Sequence, residues 1–126
     1  MVKLKKTPPV DYSKCNQTVT VYHNDGTSIT RKVYTRAFFD FRKNENVDKT
    51  GSTETNSALL VIPAFASPAG QPVSVGDKVV LGSGPVLADR AAWASFIPAK
   101  VPNMIVVRYV DPKYWAGSVA HYEAGG

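Results

Sequence analysis

The groups in this chain that could carry chemistry are two histidines, one cysteine and a set of acidic residues within a polar stretch. His23 stands beside Asn24-Asp25-Gly26 and His121 near the C-terminus; neither has a neighbouring Cys, Asp or His at metal-ligand spacing, so both read as surface polar residues. Cys15 has no nucleophile signature around it and reads as a small buried or half-buried thiol beside the first strand. Asp40, Glu45, Asp48 and Glu54 lack calcium-loop spacing, and Arg42, Lys43 and Lys49 interleave them, a pattern that keeps a loop soluble. Gly82-Ser83-Gly84 lacks the lysine and following helix of a phosphate cradle and reads as a turn. Trp93, Tyr114 and Trp115 could line a pocket, but large aromatics more often pack in cores. Tyr114 and Trp115 directly follow a turn signal and are expected at the surface, where aromatics favour protein interfaces. No set of residues supplies nucleophile, base and oxyanion stabiliser together, so the expectation is a protein that is not an enzyme and uses no cofactor and no metal.

The elements that must position these groups read as strands. Gln17–His23 alternates, with Val19 and Val21 on one face and Thr18, Thr20 and Tyr22 on the other. Asn24-Asp25-Gly26 signals a hairpin, with a return strand over 27–35 and a third strand over 36–42 carrying Phe38, Phe39 and Phe41. A strand over 57–63 follows, then two strand pieces within 73–81 joined at Gly76-Asp77, where the glycine permits a tight turn. Asp89 is placed to cap a short helix over 90–96, whose one face can bury Trp93 and Phe96. A strand over 103–110 is expected to stop at Asp111-Pro112, and a last strand over 118–122 precedes a flexible, glycine-ended tail. The fold class is therefore all-β: a small antiparallel barrel or sandwich with one short helix (about 89–96) and a long inter-strand loop (about 43–57).

That loop joins two apolar runs, yet it holds only one aliphatic residue, Val47, and is far longer than a hairpin needs. Long loops in compact domains are usually functional. Its candidate working residues are Asn44, Glu45, Asn46, Val47, Asp48, Lys49, Thr50, Gly51, Ser52 and Thr53.

At 126 residues the chain suits one domain with one core, over 15–126, behind a basic arm over 1–14. Of the net charge of +5, Lys3, Lys5, Lys6 and Lys14 sit in that arm against Asp11 alone. Such an arm can touch nucleic acid or an acidic partner, or remain solvated until an oligomeric partner orders it. No aromatic-interleaved basic stripe supports specific nucleic-acid recognition. The single cysteine fits a reducing compartment. No run is long enough to cross a bilayer, and Thr7-Pro8-Pro9 interrupts the charged start, so no signal peptide is expected.

Six motifs occur in order: Cys15-Asn-Gln-Thr-Val-Thr-Val-Tyr22, Ala37-Phe-Phe-Asp-Phe41, Val75-Gly-Asp-Lys-Val79, Gly82-Ser-Gly-Pro85, Trp93 with Phe96-Ile-Pro98, and Tyr109-Val-Asp-Pro-Lys-Tyr-Trp115. With Glu123-Ala-Gly-Gly126 they resemble a family of small minor capsid proteins from tailed bacteriophages of gut and other Gram-positive bacteria. That family is similar to head-completion proteins of the neck between portal and tail, most of all to stoppers. The resemblance implies a β-barrel that assembles into a ring of six or twelve copies in the virion, made in the host cytoplasm. It implies a portal or adaptor ring above, a tail terminator or tail proteins below, possible non-specific contact with packaged DNA, and no membrane. A loop between two barrel strands enters the channel in such proteins; here that position falls on Asn44 to Asn56. Lys3, Lys5 and Lys6, with Tyr114 and Trp115, are the candidate contacts between subunits or rings. The other readings are a tail terminator or accessory capsid protein, and a small barrel that binds nucleic acid or carbohydrate.

Overall fold

The first strand, β1 (Gln17–Asn24), buries both of its faces, which decides the architecture around it. Val19 and Val21 enter one apolar cluster and Tyr22 a second one behind it, as their alternation predicts. The computed structural model describes residues 12–48 and 51–126, and for 42–57 it describes the backbone alone. The chain continues through β2 (Ile29–Asp48), β3 (Gly51–Pro63), β4 (Lys78–Leu81), helix α1 (Arg90–Ser95), β5 (Met104–Val106), β6 (Tyr109–Trp115) and β7 (Ser118–Gly125). These strands pair antiparallel in the order β5-β4-β1-β2-β3-β7-β6, a seven-stranded sheet curled into a half-barrel.

The two strands expected over 27–35 and 36–42 are one strand of 20 residues. What the sequence suggests is a break near Thr35 and Arg36 is a β-bulge: Gln17 faces Ala37 and Val19 faces Tyr34, so three steps on β2 match two on β1. A bulge bends a strand without ending it. The bend lets β2 serve two halves, one built on β1 (β5, β4, β1, β2) and one built on β7 (β2, β3, β7, β6). Their facing sides enclose Val19, Val21, Ala37, Phe39, Leu60, Ile62, Val79, Ile105, Val107 and Ala124. The sheet's two edges, β5 and β6, are successive pieces of one segment, and Arg108 N donates to Gly125 O (2.7 Å) where it crosses between them.

The outer face of the β1 half is covered. Tyr22, Val80 and Met104 pack there against Leu87 and Phe96 of the segment that carries α1, and the Tyr22 and Phe96 rings meet edge-on at 4.9 Å. Asp89 caps the helix as expected, accepting from Ala92 N at 2.8 Å. The Gly82–Pro85 turn is bound to the strands beneath it. Thr20 Oγ1 donates to Gly82 O (2.7 Å) and accepts from Gly84 N (2.9 Å), Tyr22 donates to Pro85 O (2.6 Å), and Arg31 Nε donates to Gly84 O (2.9 Å). A side chain at residue 84 would collide with the Tyr22 hydroxyl, so only glycine fits.

Three further expectations are corrected. Of 73–81 only β4 is strand; Val73 is core without being sheet, and Asp77, rather than a strand, organises this turn by accepting from Ser74 N (2.8 Å). Asp111-Pro112 does not stop a strand but lies inside β6. Proline is tolerated there because β6 is an edge of the sheet and need not donate on both sides. The glycine-ended tail is not free: β7 runs through Gly125 and lies between β3 and β6.

Candidate functional site

The long loop expected over 43–57 is a two-stranded ribbon. β2 and β3 stay in register from Phe38↔Val61 through Asn44↔Thr55, Glu45↔Glu54, Asn46↔Thr53 and Val47↔Ser52 to Asp48↔Gly51; Lys49 and Thr50 lie outside the described residues. Polar residues can form such a ladder because its bonds satisfy backbone groups and require no apolar burial. Polarity of this stretch therefore reports the lack of a third layer, not the lack of strand. β1 accompanies β2 only as far as Ala37, and β7 accompanies β3 only from Leu59 onward. Beyond Phe41 and Ala58 no other described strand flanks the ribbon, which runs on for roughly 23 Å at the usual rise per residue. A lone two-stranded ribbon is marginally stable in water.

A second projection is the β6–β7 hairpin. Its turn residues, Ala116 and Gly117, have φ of +52° and +87°, the left-handed pair of a tight hairpin. As expected, Tyr114 and Trp115 are exposed, at 69% and 40%, and they stand at this hairpin's tip. Further down, Lys113 Nζ lies 2.6 Å from Asp111 and 3.5 Å from Glu123. The hydrogen bond that Lys113 donates to the Asp111 carboxylate, together with that carboxylate's charge, holds the ammonium above the ordinary lysine range. Lys3, Lys5 and Lys6 lie outside the described residues.

Of the groups first weighed for chemistry, both histidines have structural partners and Cys15 is buried, and the side chains of Glu45, Asp48 and Glu54 lie outside the described residues. Cys15 is buried, and burial pushes its thiol up, away from the reactive thiolate. His23 Nδ1 lies 2.6 Å from buried Asp77, fastening the end of β1 to the turn before β4. His121, expected at the surface, is instead 9% exposed: Nδ1 is 2.6 Å from the Tyr12 hydroxyl and Nε2 is 3.6 Å from Glu123. A partner 109 residues away in sequence leaves no local signal. Burial pushes the Tyr12 hydroxyl up, with Cys15 and Glu123 adding to it. Lys78, unremarked in the sequence, is buried under α1 with its Nζ 4.3 Å from the centre of the Trp93 ring, and burial pulls its ammonium down. Among the described residues no three His, Cys, Asp or Glu side chains could hold a metal ion, and no helix is long and apolar enough to cross a membrane.

Residues 14–126 match the model of a family of unknown function (DUF6751). No curated protein and no solved structure matches the chain.

Proposed function

The chain belongs to that family of unknown function (DUF6751), and we propose that it is a structural virion protein of the phage neck, a stopper-like component that assembles as a ring. In this reading the ring closes the portal exit, retains packaged DNA and offers the docking surface for the tail. Catalysis has no part in it. The observation that carries the proposal is the ribbon: a small curled β body extends two strands roughly 23 Å past its last flanking strand, with a polar sequence that its own core cannot use. Copies arranged about an axis give such a ribbon neighbours and bring several of them together at the centre, where a channel would be narrowed. The motif order that resembles phage head-completion proteins supplies the setting. Tyr114 and Trp115 at the second hairpin's tip supply an aromatic contact of the kind that anchors protein interfaces.

The test replaces residues 44–55 with Asn-Gly, which keeps the Lys43↔Asn56 pair and closes the ribbon early. The isolated protein should keep its β-sheet spectrum, with stability within about 1 kcal/mol of the parent because no described third layer is removed. Particles carrying it should package DNA and lose it before tails attach. Infectious particles that hold their DNA would show that the ribbon does not close the channel. Imaging that places the chain at the far end of the tail would replace the stopper with a tail terminator.

A further inference from the structure

We propose that the turn between β1 and β2 is built to suppress the spontaneous isomerisation of the Asp25-Gly26 bond, and that Asn24, Thr27 and Ser28 are the residues that hold it back. Among aspartyl dipeptides, Asp-Gly is the most prone to this reaction, because glycine has no side chain to hinder attack by its own nitrogen. The Gly26 nitrogen gives up its proton and its electron pair attacks the Asp25 Cγ. The carboxylic hydroxyl leaves with a proton as water, and a cyclic imide remains. Water then adds back. Opening at the main-chain carbonyl routes the backbone through the side chain, one methylene longer and unchanged in mass.

The turn can dispense with neither member of this pair. Gly26 has φ of +95°, a conformation that strains any residue with a side chain. The Asp25 carboxylate ties down the two residues that follow: Oδ1 accepts from Thr27 N, Ser28 N and Thr27 Oγ1, each at 2.8 Å, and Oδ2 from Ser28 Oγ at 3.4 Å. Asp25 N in turn donates to Ser28 O at 3.2 Å. The geometry of the hairpin therefore fixes a reactive sequence at a place where residues 23–28 are all exposed to water. Burial does not protect it.

Hydrogen bonds do. Gly26 N donates to Asn24 Oδ1 at 2.9 Å, so the proton that must leave is engaged by an amide oxygen too weakly basic to remove it. The donors from Ser28 and Thr27 hold the Asp25 carboxyl well below the ordinary carboxylate range. The reaction needs the neutral acid, whose hydroxyl can leave; a carboxylate repels the incoming electron pair. The same bonds commit the carboxylate to the nitrogens of residues 27 and 28. Failure would be felt in the sheet. An extra methylene would enter just beyond the Asn24↔Ile29 pair, at the strand end whose His23 is fastened to Asp77.

The experiment keeps the full chain for weeks at body temperature in mildly acidic buffer, either folded or unfolded in guanidinium chloride. Isoaspartate at residue 25 is counted by enzymatic methylation and by fragmentation of the tryptic peptide 15–31. The folded native chain should convert at least tenfold more slowly than the unfolded chain. Thr27→Val removes one donor to the carboxylate and should raise the folded rate about threefold or more, the gain in neutral acid from a half-unit rise in its titration. Asn24→Ala, which frees the Gly26 N–H, should raise it by a similar factor. Both should keep the β-sheet spectrum. Equal rates in the folded and unfolded native chain overturn the proposal, as do native rates in both folded variants. Asp25→Asn serves where a variant fails to fold: it keeps an oxygen acceptor, removes the charge and reports attack by the Gly26 nitrogen as deamidation. Folded, it should deamidate at least tenfold more slowly than unfolded, and equal rates overturn the hold on that nitrogen.

Discussion

The two halves of the sheet treat their outer faces differently. Behind the β1 half, Tyr22, Val80 and Met104 are sealed by the chain from Gly82 to Asn103, with hydrogen bonds to every part of the Gly82–Pro85 turn. Behind the β7 half, Phe38, Leu59, Val61 and Tyr109 belong to no buried cluster, and the hairpin tip exposes Tyr114 and Trp115. Among the described residues, one face of the sheet is completed by its own chain and the other is not. The first is where stability is concentrated, and the second is where, in the reading proposed above, partners bind.

The largest effect expected is therefore on the covered side. Phe96→Ala removes the ring that meets Tyr22 edge-on and opens a cavity between helix and sheet, which should cost about 3–5 kcal/mol in chemical denaturation. Val61→Ala on the open face should cost about 1 kcal/mol or less. Equal losses at the two positions would erase the distinction. Tyr22→Phe should cost about 1–2 kcal/mol, because it keeps the packing and leaves the Pro85 carbonyl without its donor.

Alkaline titration sharpens the same contrast, since burial behind the β1 half displaces two groups in opposite directions. Lys78 is held below its ordinary 10.5, so its charged form opposes folding; that penalty fades as pH rises through its folded value toward 10.5. Tyr22 is held above its ordinary 10.0, so its stabilising contribution is complete below pH 10 and is lost as pH rises through its folded value. Stability should rise slightly and then fall. Lys78→Met should flatten the rise and Tyr22→Phe the fall, both read from denaturation midpoints across pH 8 to about 11.

Much of this division was legible in the residues. Alternation placed Val19 and Val21 opposite Tyr22, Asp89 announced the helix start, and the word order Gly82-Ser-Gly-Pro85 announced the turn. What misled was reading polarity as loop. Residues 43–57 pair as strands because a ladder needs only backbone groups; separately, a proline taken as a strand stop at Asp111-Pro112 lies inside an edge strand. Local patterns also could not show that one bulge fuses two strands into β2, or that His121 is buried against Tyr12. Each depends on a partner distant in sequence. Of the candidate site, the position of the projecting segment and the exposure of Tyr114 and Trp115 could be read in advance; the open face could not, because its rows are assembled from four strands.

The smallest effect on the fold should come from Tyr114→Ser. At 69% exposure the ring buries little, and its neighbours at the tip are held by the Ala116-Gly117 turn, which does not involve it. The isolated chain should change by no more than about 0.5 kcal/mol, at the limit of denaturation measurements. Assembly should respond differently. An aromatic side chain at a protein contact commonly contributes about 2 kcal/mol or more, so incorporation into particles should fall well beyond anything the stability change explains. Normal incorporation would show that this tip faces solvent in the assembled state and would confine the partner-facing surface to the ribbon and the open face. Reduced incorporation with an unchanged midpoint would separate the two roles of the sheet at a single residue.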